Sequence, residues 1–549
     1  MRVLTCNEVR DVEREAISRP NMSTLLLMQR AGYAVARFCL SHFKFSSVCV
    51  VCGKGNNGGD GLVAAEALRD VVAKVTVIIL AKGVSELSAD AAAMCSRLNV
   101  EPVWVASEAD FQKDAVRQAL AADLILDAIV GTGFKPPLRG LAGQAVRAIN
   151  NASGTIVAVD LPSGVDADSG IPIHEYSADT VFAHGIVTFI APKPAHVFGE
   201  LTTGPIAVSE LGVPPDLLSN PTGLQVATGQ EVGITFPPRS RDANKGQFGH
   251  VLVIAGSRGK AGAAGLAGMA ALRSGAGLVT VACPQSIQSI VAGFAPELMT
   301  EDLPETGDGA ISIAAGEKTE ALLIGKNAIV LGPGLSRHHE TAEFARRLVT
   351  RCHPPLVLDA DGLNAFEGRM SELNATPSFR VLTPHPGEAA RLSGTPVKEI
   401  QEDRLEAARR ISNLTGSCVV LKGSRTVVAG ISGETWINLT GNPALAKGGS
   451  GDVLSGMIGA ALARRPASPD SSAPAKSDED HQRNSGKASA FLHDLNVAAA
   501  VHLHGLAGDS ARDMLQENTV LATDLLDNLS EAFRDCGQQM DRRFFYLQK

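Results

Sequence analysis

The chain has 549 residues, of which 45% are hydrophobic and 20% are charged, so it is long enough to build more than one domain around well-buried cores. Its 50 Lys and Arg residues against 58 Asp and Glu residues give a net charge of -8, which argues against nucleic acid and anionic membranes as partners. Asp11, Glu13 and Arg14 stand where a signal peptide would need its apolar stretch. We therefore expect a cytoplasmic protein that acts on small molecules.

The first half of the chain has the pattern of an α/β domain. Thr5 followed by Glu8 is a capping-box pattern that predicts an N-terminal helix. Apolar β-branched runs then alternate with helical stretches, which is typical of a doubly wound parallel sheet. These runs lie at 47–51, 75–80, 123–127 and 155–160.

The second half repeats this pattern after a break. Between Pro214 and Pro238 the sequence becomes proline-punctuated, which predicts an interdomain linker. Strand-like runs then begin at His250, Leu278, Ala328, Leu356, Val381 and Cys418. We predict two tandem α/β domains, 1–220 and 236–530. The segment 464–489, rich in Pro, Ser, Ala and charge, is predicted to be a disordered insertion, with a regulatory or docking segment as the alternative.

Cysteine and histidine give no pattern typical of a transition-metal site. The one CxxC pair, Cys49 and Cys52, falls in an apolar run and has no second pair at zinc spacing, so a buried strand explains it better. Four histidines occur in close pairs but lack a neighbouring Cys or acid cluster. We interpret them as surface or core residues: His338, His339, His502 and His504.

A glycine-rich turn, GKGNNGGDG at 53–61, follows the first predicted strand and contains the spacing GxGxxG. Such a turn lets backbone amides approach a phosphate at a helix N-terminus. The next strand runs out into Ala81 and Lys82, without the acid that a dehydrogenase uses to hold the ribose. We therefore predict a phosphate-binding loop that is not a hydride-transfer fingerprint; a turn that serves packing alone is the alternative.

Two further strand ends carry carboxylates followed by glycine turns, at Asp127 and Asp160. Because parallel strands share one crevice at their carboxyl ends, Asn57, Asp127, Asp160 and Ser163 can converge although they are distant in sequence. Oxygen ligands of this kind suit a hard cation. Each Asp taken alone is explained equally well as a helix cap.

The motifs NNGGDG, DAIVGTGF, VDLPSGVDADSG and VTFIAPKP together resemble the NAD(P)H-hydrate epimerase domain over roughly residues 1–215, which implies a Rossmann-like sheet. The resemblance implies that Asp160 is catalytic, at the reacting ring, and that Asn57, Asp127 and Ser163 hold potassium (K+). It also implies two hydrate-binding loops, made of Asn56, Asn57, Gly58, Gly59 and Asp60 and of Gly131, Thr132, Gly133, Phe134, Lys135, Pro136 and Pro137.

The strongest motif of the second half is GGSGD within NLTGNPALAKGGSGDVLSG, 438–456. Successive backbone amides at a helix N-terminus can stabilise a transferring phosphoryl group, and the following Asp452 is placed to accept a hydroxyl proton. A Walker-type GxxxxGK[ST] sequence is absent from the chain, which excludes a P-loop. The alternative is that these residues only cap the helix.

With KGSRT, TPHPGE, GPGLS and the glycine-rich segment 256–278, this motif resembles the nucleotide-dependent NAD(P)H-hydrate dehydratases, which are ribokinase-like, over about residues 236–530. The resemblance implies that Ala263, Gly334, His385 and Asp452 surround the hydrate, with Asp452 as the catalytic base. It also implies an ADP site made of Lys422, Gly423, Ser424, Arg425, Thr426, Gly441, Asn442, Gly448, Gly449, Ser450 and Gly451.

Together the two resemblances imply a bifunctional enzyme, expected to be homo-oligomeric, that repairs hydrated NADH and NADPH (NADHX and NADPHX). An isomerase domain would interconvert the R and S hydrates at C6. A lyase domain would dehydrate the S hydrate with ADP and magnesium (Mg2+), giving AMP and phosphate. The sequence leaves open whether ADP or ATP is the donor and whether the hydrate of NADH or that of NADPH is preferred. The alternatives are a ribokinase-like kinase for a vitamin precursor fused to a nucleotide-binding module, and a first domain that only binds.

Overall fold

The computed structural model describes residues 1–169, 173, 180–218, 223–375, 378–464, 479–536 and 544–547. The chain divides into two compact units, Met1–Thr222 with Met540–Lys549 and Gly223–Gln539. Both are α/β units built on a largely parallel sheet, as predicted. Within the described ranges, every helix is too short or too polar to span a bilayer.

The first unit contains an eight-stranded sheet in the order β18-β7-β6-β5-β4-β1-β2-β3, with every neighbouring pair parallel. Its strands are β1 (Ser47–Cys52), β2 (Lys74–Ile79), β3 (Val103–Trp104), β4 (Leu124–Ala128), β5 (Thr155–Val159), β6 (Gly185–Phe189), β7 (Ile206–Ser209) and, near the end of the chain, β18 (Phe544–Tyr546). Its helices are α1 (Cys6–Ser18), α2 (Thr24–His42), α3 (Asn56–Arg69), α4 (Ala89–Cys95), α5 (Asp114–Leu120), α6 (Gly140–Asn150) and α7 (Pro194–Phe198).

Two local predictions for this unit are confirmed. Helix α1 begins with the capping box, in which the Thr5 hydroxyl accepts from the Glu8 amide and the Glu8 carboxylate accepts from the Thr5 amide over 2.7 Å. Cys49 and Cys52 are buried in β1, an apolar strand that lies between β4 and β2 inside the parallel sheet.

The second unit contains a ten-stranded sheet in the order β11-β10-β9-β12-β13-β14-β15-β16-β17-β8, in which β16 alone runs antiparallel to its neighbours. Its strands are β8 (Leu224–Val226), β9 (His250–Ile254), β10 (Leu278–Pro284), β11 (Met299–Leu303), β12 (Ala328–Leu331), β13 (Leu356–Leu358), β14 (Arg380–Leu382), β15 (Cys418–Leu421), β16 (Val427–Ala429) and β17 (Thr435–Ile437). Its helices are α8 (Gly229–Thr235), α9 (Ala261–Arg273), α10 (Gln288–Ala292), α11 (Gly316–Leu323), α12 (His339–Arg351), α13 (Ala360–Asn364), α14 (Pro386–Ser393), α15 (Val397–Glu402), α16 (Arg404–Thr415), α17 (Ser450–Ala463), α18 (Glu479–Leu515) and α19 (Ala522–Cys536).

The structure differs from the sequence-based organisation in the segment predicted to be a linker. Strand β8 and helix α8 lie inside 214–238, and β8 pairs in parallel with β17 in the second sheet. A three-residue edge strand is too short for its apolar periodicity to be read from sequence. The predicted bounds 1–220 and 236–530 therefore leave out β8, α8 and β18.

The predicted disordered insertion, 464–489, is only partly within the described residues. Residues 465–478 lie outside them, and α18 begins at Glu479, so the end of the predicted segment is helical. Further along, α18 packs on both α17 and α19. This packing supplies helix stability that composition alone does not reveal.

Candidate active sites

The glycine-rich turn of the first unit connects β1 to the N-terminus of α3, with Gly55 as the N-cap. A Cβ on Gly53 would lie 2.0 Å from the Ile129 carbonyl oxygen, and one on Gly58 would lie 2.1 Å from the Gly53 carbonyl oxygen. These two glycines are therefore required for close backbone packing, whatever the turn binds. Asn57 and Asp60 are three residues apart on α3 and share one face of it.

Asp127 and Ser163 form a buried pair at the ends of β4 and β5. The Ser163 hydroxyl donates to Asp127 Oδ1 over 2.6 Å, and its amide donates to Oδ2 over 2.7 Å. Burial raises the pKa of Asp127 to about 6, although the hydrogen bonds from Ser163 oppose this shift. Among the described residues no cationic side chain forms an ion pair with Asp127, so its charge is balanced by dipoles alone.

Asp160, which follows β5, is paired with a buried lysine. Lys193 Nζ donates to Asp160 Oδ1 over 2.7 Å and to Thr188 Oγ1 over 2.8 Å, and the Thr188 hydroxyl donates to the same carboxylate oxygen over 3.0 Å. Burial would raise the pKa of Asp160, but the charge and hydrogen bond of Lys193 outweigh it, and the pKa is lowered. Asp160 is thus an ionised carboxylate held rigidly inside the unit.

His196 fixes the backbone of Asp160, which adopts a left-handed φ of 67°. The Lys193 amide donates to His196 Nδ1 over 3.0 Å, so Nε2 carries the proton and donates to the Asp160 carbonyl oxygen over 2.8 Å. Burial lowers the pKa of His196 to about 4, which keeps the ring neutral. The strained backbone of Asp160 is therefore stabilised by the neutral His196 ring, whose tautomer is fixed by the Lys193 amide and the Asp160 carbonyl oxygen.

The two loops implied by the resemblance meet at Gly131. A Cβ on Gly131 would lie 3.0 Å from Asp160 Oδ2 and 3.2 Å from Asn57 Oδ1. The Thr132 amide donates to Asp160 Oδ2 over 3.3 Å, whereas the exposed Lys135 pairs with Asp166 over 2.7 Å. Asn57, the start of the 131–137 loop and Asp160 therefore surround one point, and Lys135 turns away to another carboxylate.

Asp60 adds a second carboxyl group to this region. It is 9% exposed, and burial, reinforced by the negative charges of Asp160 and Glu13, raises its pKa well above the ordinary value. The pKa of Asp60 is therefore raised, whereas that of Asp160 is lowered by Lys193. Two carboxyl groups whose pKa values move in opposite directions are typical of acid–base chemistry.

In the second unit, the GGSGD motif forms the N-terminus of α17, with the N-cap Gly449 at a φ of 96°. Asp452 lies in the first turn. Burial, with the charge of Asp359 as the next largest cause, raises its pKa to about 7, although Lys422 opposes the shift. A carboxyl group with such a pKa beside the amides of a helix N-terminus can accept a proton from a hydroxyl while the amides stabilise an anion.

Lys422 lies beside this helix end. It follows β15, and its Nζ donates to Asp359 Oδ1 over 2.8 Å. A Cβ on Gly451 would lie 3.4 Å from Lys422 Nζ and 3.9 Å from Asp359 Oδ2. An ammonium group and the first amides of α17 therefore lie together.

The other residues of the implied nucleotide site lie on two linked loops. The Asn438 amide donates to the Thr426 carbonyl oxygen over 2.9 Å, which joins the loop after β15 to the segment before α17. Asp509 of α18 accepts from the Gly441 amide and from Asn442 Nδ2, both over 2.9 Å. The structure thus links the loop that contains residues 422–426 to the segment that leads into residues 441–451.

The residues implied to surround the hydrate occupy two places. Gly334 packs on Ala263, since a Cβ on Gly334 would lie 3.0 Å from that of Ala263. His385 caps α14, and its amide donates to Glu388, which lies 3.8 Å from Lys422 Nζ. Glu388 is therefore a common neighbour of His385 and Lys422.

Sequence reasoning missed Asp359 and left Thr188 and Lys193 without a role. Asp359 follows the apolar run LVL, so it has the same strand-end position that singled out Asp127 and Asp160. His502 and His504 are core residues, 3% and 7% exposed, as the interpretation allowed. Among the described residues there is no cluster of three or more His, Cys, Asp or Glu side chains arranged to hold a metal.

Comparison with known proteins identifies relatives of both units. The model of a family described as NAD(P)H-hydrate dehydratase matches residues 251–531, and that of the YjeF-related protein N-terminus matches residues 24–195. A bifunctional NAD(P)H-hydrate repair enzyme from Moorella thermoacetica is 36% identical over 98% of both chains. One from Escherichia coli is 34% identical over 84% of both chains. A solved ADP/ATP-dependent NAD(P)H-hydrate dehydratase from Bacillus subtilis, with a TM-score of 0.46 and 30% identity, covers 57% of this chain and 98% of that one.

Proposed function

This chain belongs to the family of bifunctional NAD(P)H-hydrate repair enzymes, and from that premise we propose which of its residues carry the two reactions. The first unit interconverts the R and S hydrates of NADH and NADPH at C6. The second unit dehydrates the S hydrate to the working cofactor. The enzyme acts in the cytoplasm as a homo-oligomer, a state that analytical ultracentrifugation of the full chain would test.

In the epimerase unit, the hydrate binds where α3 and the 131–137 loop approach Asp160. The amides at the start of α3 face the phosphates of the substrate, because a helix N-terminus favours anions. Asp160, ionised by Lys193, stands at the nicotinamide ring and takes up or returns a proton there. Asp60, whose pKa is raised by burial, is the second carboxyl group available for proton transfer there.

A potassium ion fits the oxygen atoms of Asn57, Asp127 and Ser163. The support is Asp127, a fully buried carboxylate whose partners in the described structure are dipoles. Carboxylate, amide and hydroxyl oxygens are ligands for hard cations. When bound, the ion supplies the positive charge that this buried site lacks.

In the dehydratase unit, the C6 hydroxyl oxygen of the hydrate attacks the β-phosphorus of ADP, and AMP leaves. Asp452 accepts the proton of that hydroxyl. Hydroxide is a poor leaving group, and phosphorylation of the hydroxyl makes phosphate the leaving group instead. The ring-nitrogen lone pair then expels phosphate from C6, and loss of a C5 proton restores the reduced nicotinamide. The amides of Gly448–Gly451 and the Lys422 ammonium stabilise the negative charge that develops on the transferred group.

ADP binds to residues 422–426, Gly441, Asn442 and the start of α17. The hydrate binds to Ala263, Gly334 and His385. Magnesium bound to the ADP phosphates would neutralise part of their charge. The Asp359 carboxylate is fully used by three protein donors, so we assign it no metal.

The observation that carries this proposal is the start of α17, where amides, an ammonium and a carboxyl group with a pKa near 7 lie together. The test is an assay with separated R and S hydrates. With S hydrate and ADP, the absorbance of reduced nicotinamide should return while AMP and inorganic phosphate form in equal amounts. With R hydrate, the absorbance should return only as fast as epimerisation supplies S hydrate. A stable phosphorylated product would instead indicate a kinase.

A further inference from the structure

Asp359 is a buried carboxylate on which three other elements of the second unit converge. It follows β13 and is 1% exposed. It accepts from Lys422 Nζ, after β15, over 2.8 Å and from the Thr383 hydroxyl, after β14, over 2.7 Å. The Ser455 hydroxyl of α17 donates to its other oxygen over 2.6 Å. Both oxygens are therefore occupied by protein donors.

The charge on Asp359 is kept despite burial. Burial alone would raise its pKa, but the charge and hydrogen bond of Lys422 outweigh it, and the pKa is lowered. Conversely, Asp359 and then Glu388 raise the pKa of Lys422 although burial opposes this. The second carboxylate is farther away, with Glu388 Oε2 3.8 Å from Lys422 Nζ. Asp359 is thus the principal partner of this ammonium group.

The same carboxylate connects Lys422 to the first turns of α17. Ser455 lies one turn beyond Gly451, and its hydroxyl is also 3.1 Å from the Gly451 carbonyl oxygen. We infer that Asp359 is a positioning residue for the proposed dehydration: it holds the Lys422 ammonium and the amides of α17 in the one arrangement that contacts the transferred phosphoryl group. The inference rests on the proposed function of the second unit, but its binding readout is independent of turnover.

Asp359 also acts on Asp452 through charge. The charged groups that face Asp452 are Asp359 after β13, Asp361 on α13 and Lys422 after β15. On α18, the nearby His504 hydrogen-bonds to the Ser450 carbonyl oxygen and, with a pKa lowered by burial to about 4, is neutral. Removing the negative charge of Asp359 therefore makes Asp452 a stronger acid. The pH at which Asp452 becomes a base falls accordingly.

The test is Asp359→Asn in the full chain. ADP binding, measured by titration calorimetry, should weaken about tenfold or more, and the maximal rate with S hydrate should fall about a hundredfold, because misplacement of binding groups is costly. In addition, the acidic limb of the rate profile should move to lower pH. This shift distinguishes the charge of Asp359 from a merely structural role.

Two further variants keep the test decisive. Ser455→Ala leaves the carboxylate and Lys422 in place, so it should weaken ADP binding less and leave the acidic limb unmoved. Asp302→Asn is the matched control, because Asp302 also pairs with a lysine, Lys318 over 2.8 Å, but on the exposed edge strand β11. It should behave as the wild type.

Unchanged ADP affinity and an unmoved acidic limb in a folded Asp359→Asn chain overturn the inference. If Asp359→Asn does not fold, a Ser455→Ala chain with wild-type ADP affinity and rate overturns it instead. If the wild type binds ADP but does not dehydrate S hydrate, the proposed function fails, while weaker ADP binding by Asp359→Asn still supports the positioning role.

Discussion

Lys193 Nζ lies 2.7 Å from Asp160 Oδ1, and both side chains are buried. The second unit has a corresponding pair, in which Lys422 Nζ lies 2.8 Å from Asp359 Oδ1. In each unit a lysine keeps a buried strand-end carboxylate ionised, and desolvation makes removal of either partner costly. The two pairs differ in their relation to the proposed chemistry. In the proposed reactions Asp160 faces the nicotinamide ring, whereas Asp359 acts through Lys422.

Replacement of Lys193 should change the pH dependence of epimerisation. Lys193 lowers the pKa of Asp160, so Lys193→Met should raise it. Conversion of R to S hydrate should slow at neutral pH and recover as pH rises, while dehydration of S hydrate by the second unit is unchanged. The measurement is the pH profile of epimerisation. Lys113→Met, at an exposed lysine paired with Asp110, is the control; equal profiles for the two variants would contradict the role assigned to Lys193.

Removal of the Asp127 carboxylate should abolish the potassium response. In Asp127→Ala, R-to-S conversion should slow and become insensitive to added potassium, because the only charged ligand proposed is gone. Dehydration of S hydrate should continue. The control is Asp123→Ala, at the opposite end of β4, where the carboxylate caps Ser46 and Ser47 and the response to potassium should remain. Normal epimerisation in Asp127→Ala would mean that this carboxylate only organises its turn.

Asp452→Asn should separate chemistry from binding. The amide keeps the size of the side chain and its ability to cap a helix, so the unit should fold. Loss of the proton acceptor should slow dehydration by about a hundred- to ten-thousandfold, while ADP affinity stays within a few fold and epimerisation is untouched. In the wild type the rate should rise with pH through about 7, the pKa of this carboxyl group. A variant that dehydrates at the wild-type rate would falsify the assignment of the base.

Buried neutral histidines should make the protein sensitive to mild acid. His196, His502 and His504 have pKa values lowered by burial to about 4, below the usual value of about 6.5. Between these pH values the unfolded chain binds protons that the folded chain does not. Stability is therefore lost as pH falls through this window, by up to about tenfold in the folding equilibrium per histidine per pH unit.

The check is calorimetric unfolding between pH 7 and 4 for the wild type and His502→Phe. The variant should lose less stability on acidification, because one titrating ring is gone from the core. His353→Gln, at an exposed position, should follow the wild type. Identical acid sensitivity in His502→Phe and the wild type would show that the His502 ring is not held neutral.

Much of the fold was readable from the sequence because it depends on local spacing. The apolar runs at 47–51, 123–127 and 155–160 became β1, β4 and β5, since a strand buried on both faces needs continuous apolar side chains. Glycine turns after these strands indicated where polar groups would gather, because the carboxyl ends of parallel strands share one edge. The same reasoning, applied to LVL followed by Asp359, would have identified that residue.

The tertiary structure decided which residues meet. Lys193 is 33 residues from Asp160 and Lys422 is 63 from Asp359, and each pair forms only because the sheet order brings their strand ends together. Likewise, the neutral tautomer of His196 follows from two backbone groups on either side of its ring. Local sequence thus determined the elements and the residue types at their ends. Charge state and contact were set by desolvation and strand order, which are properties of the folded chain as a whole.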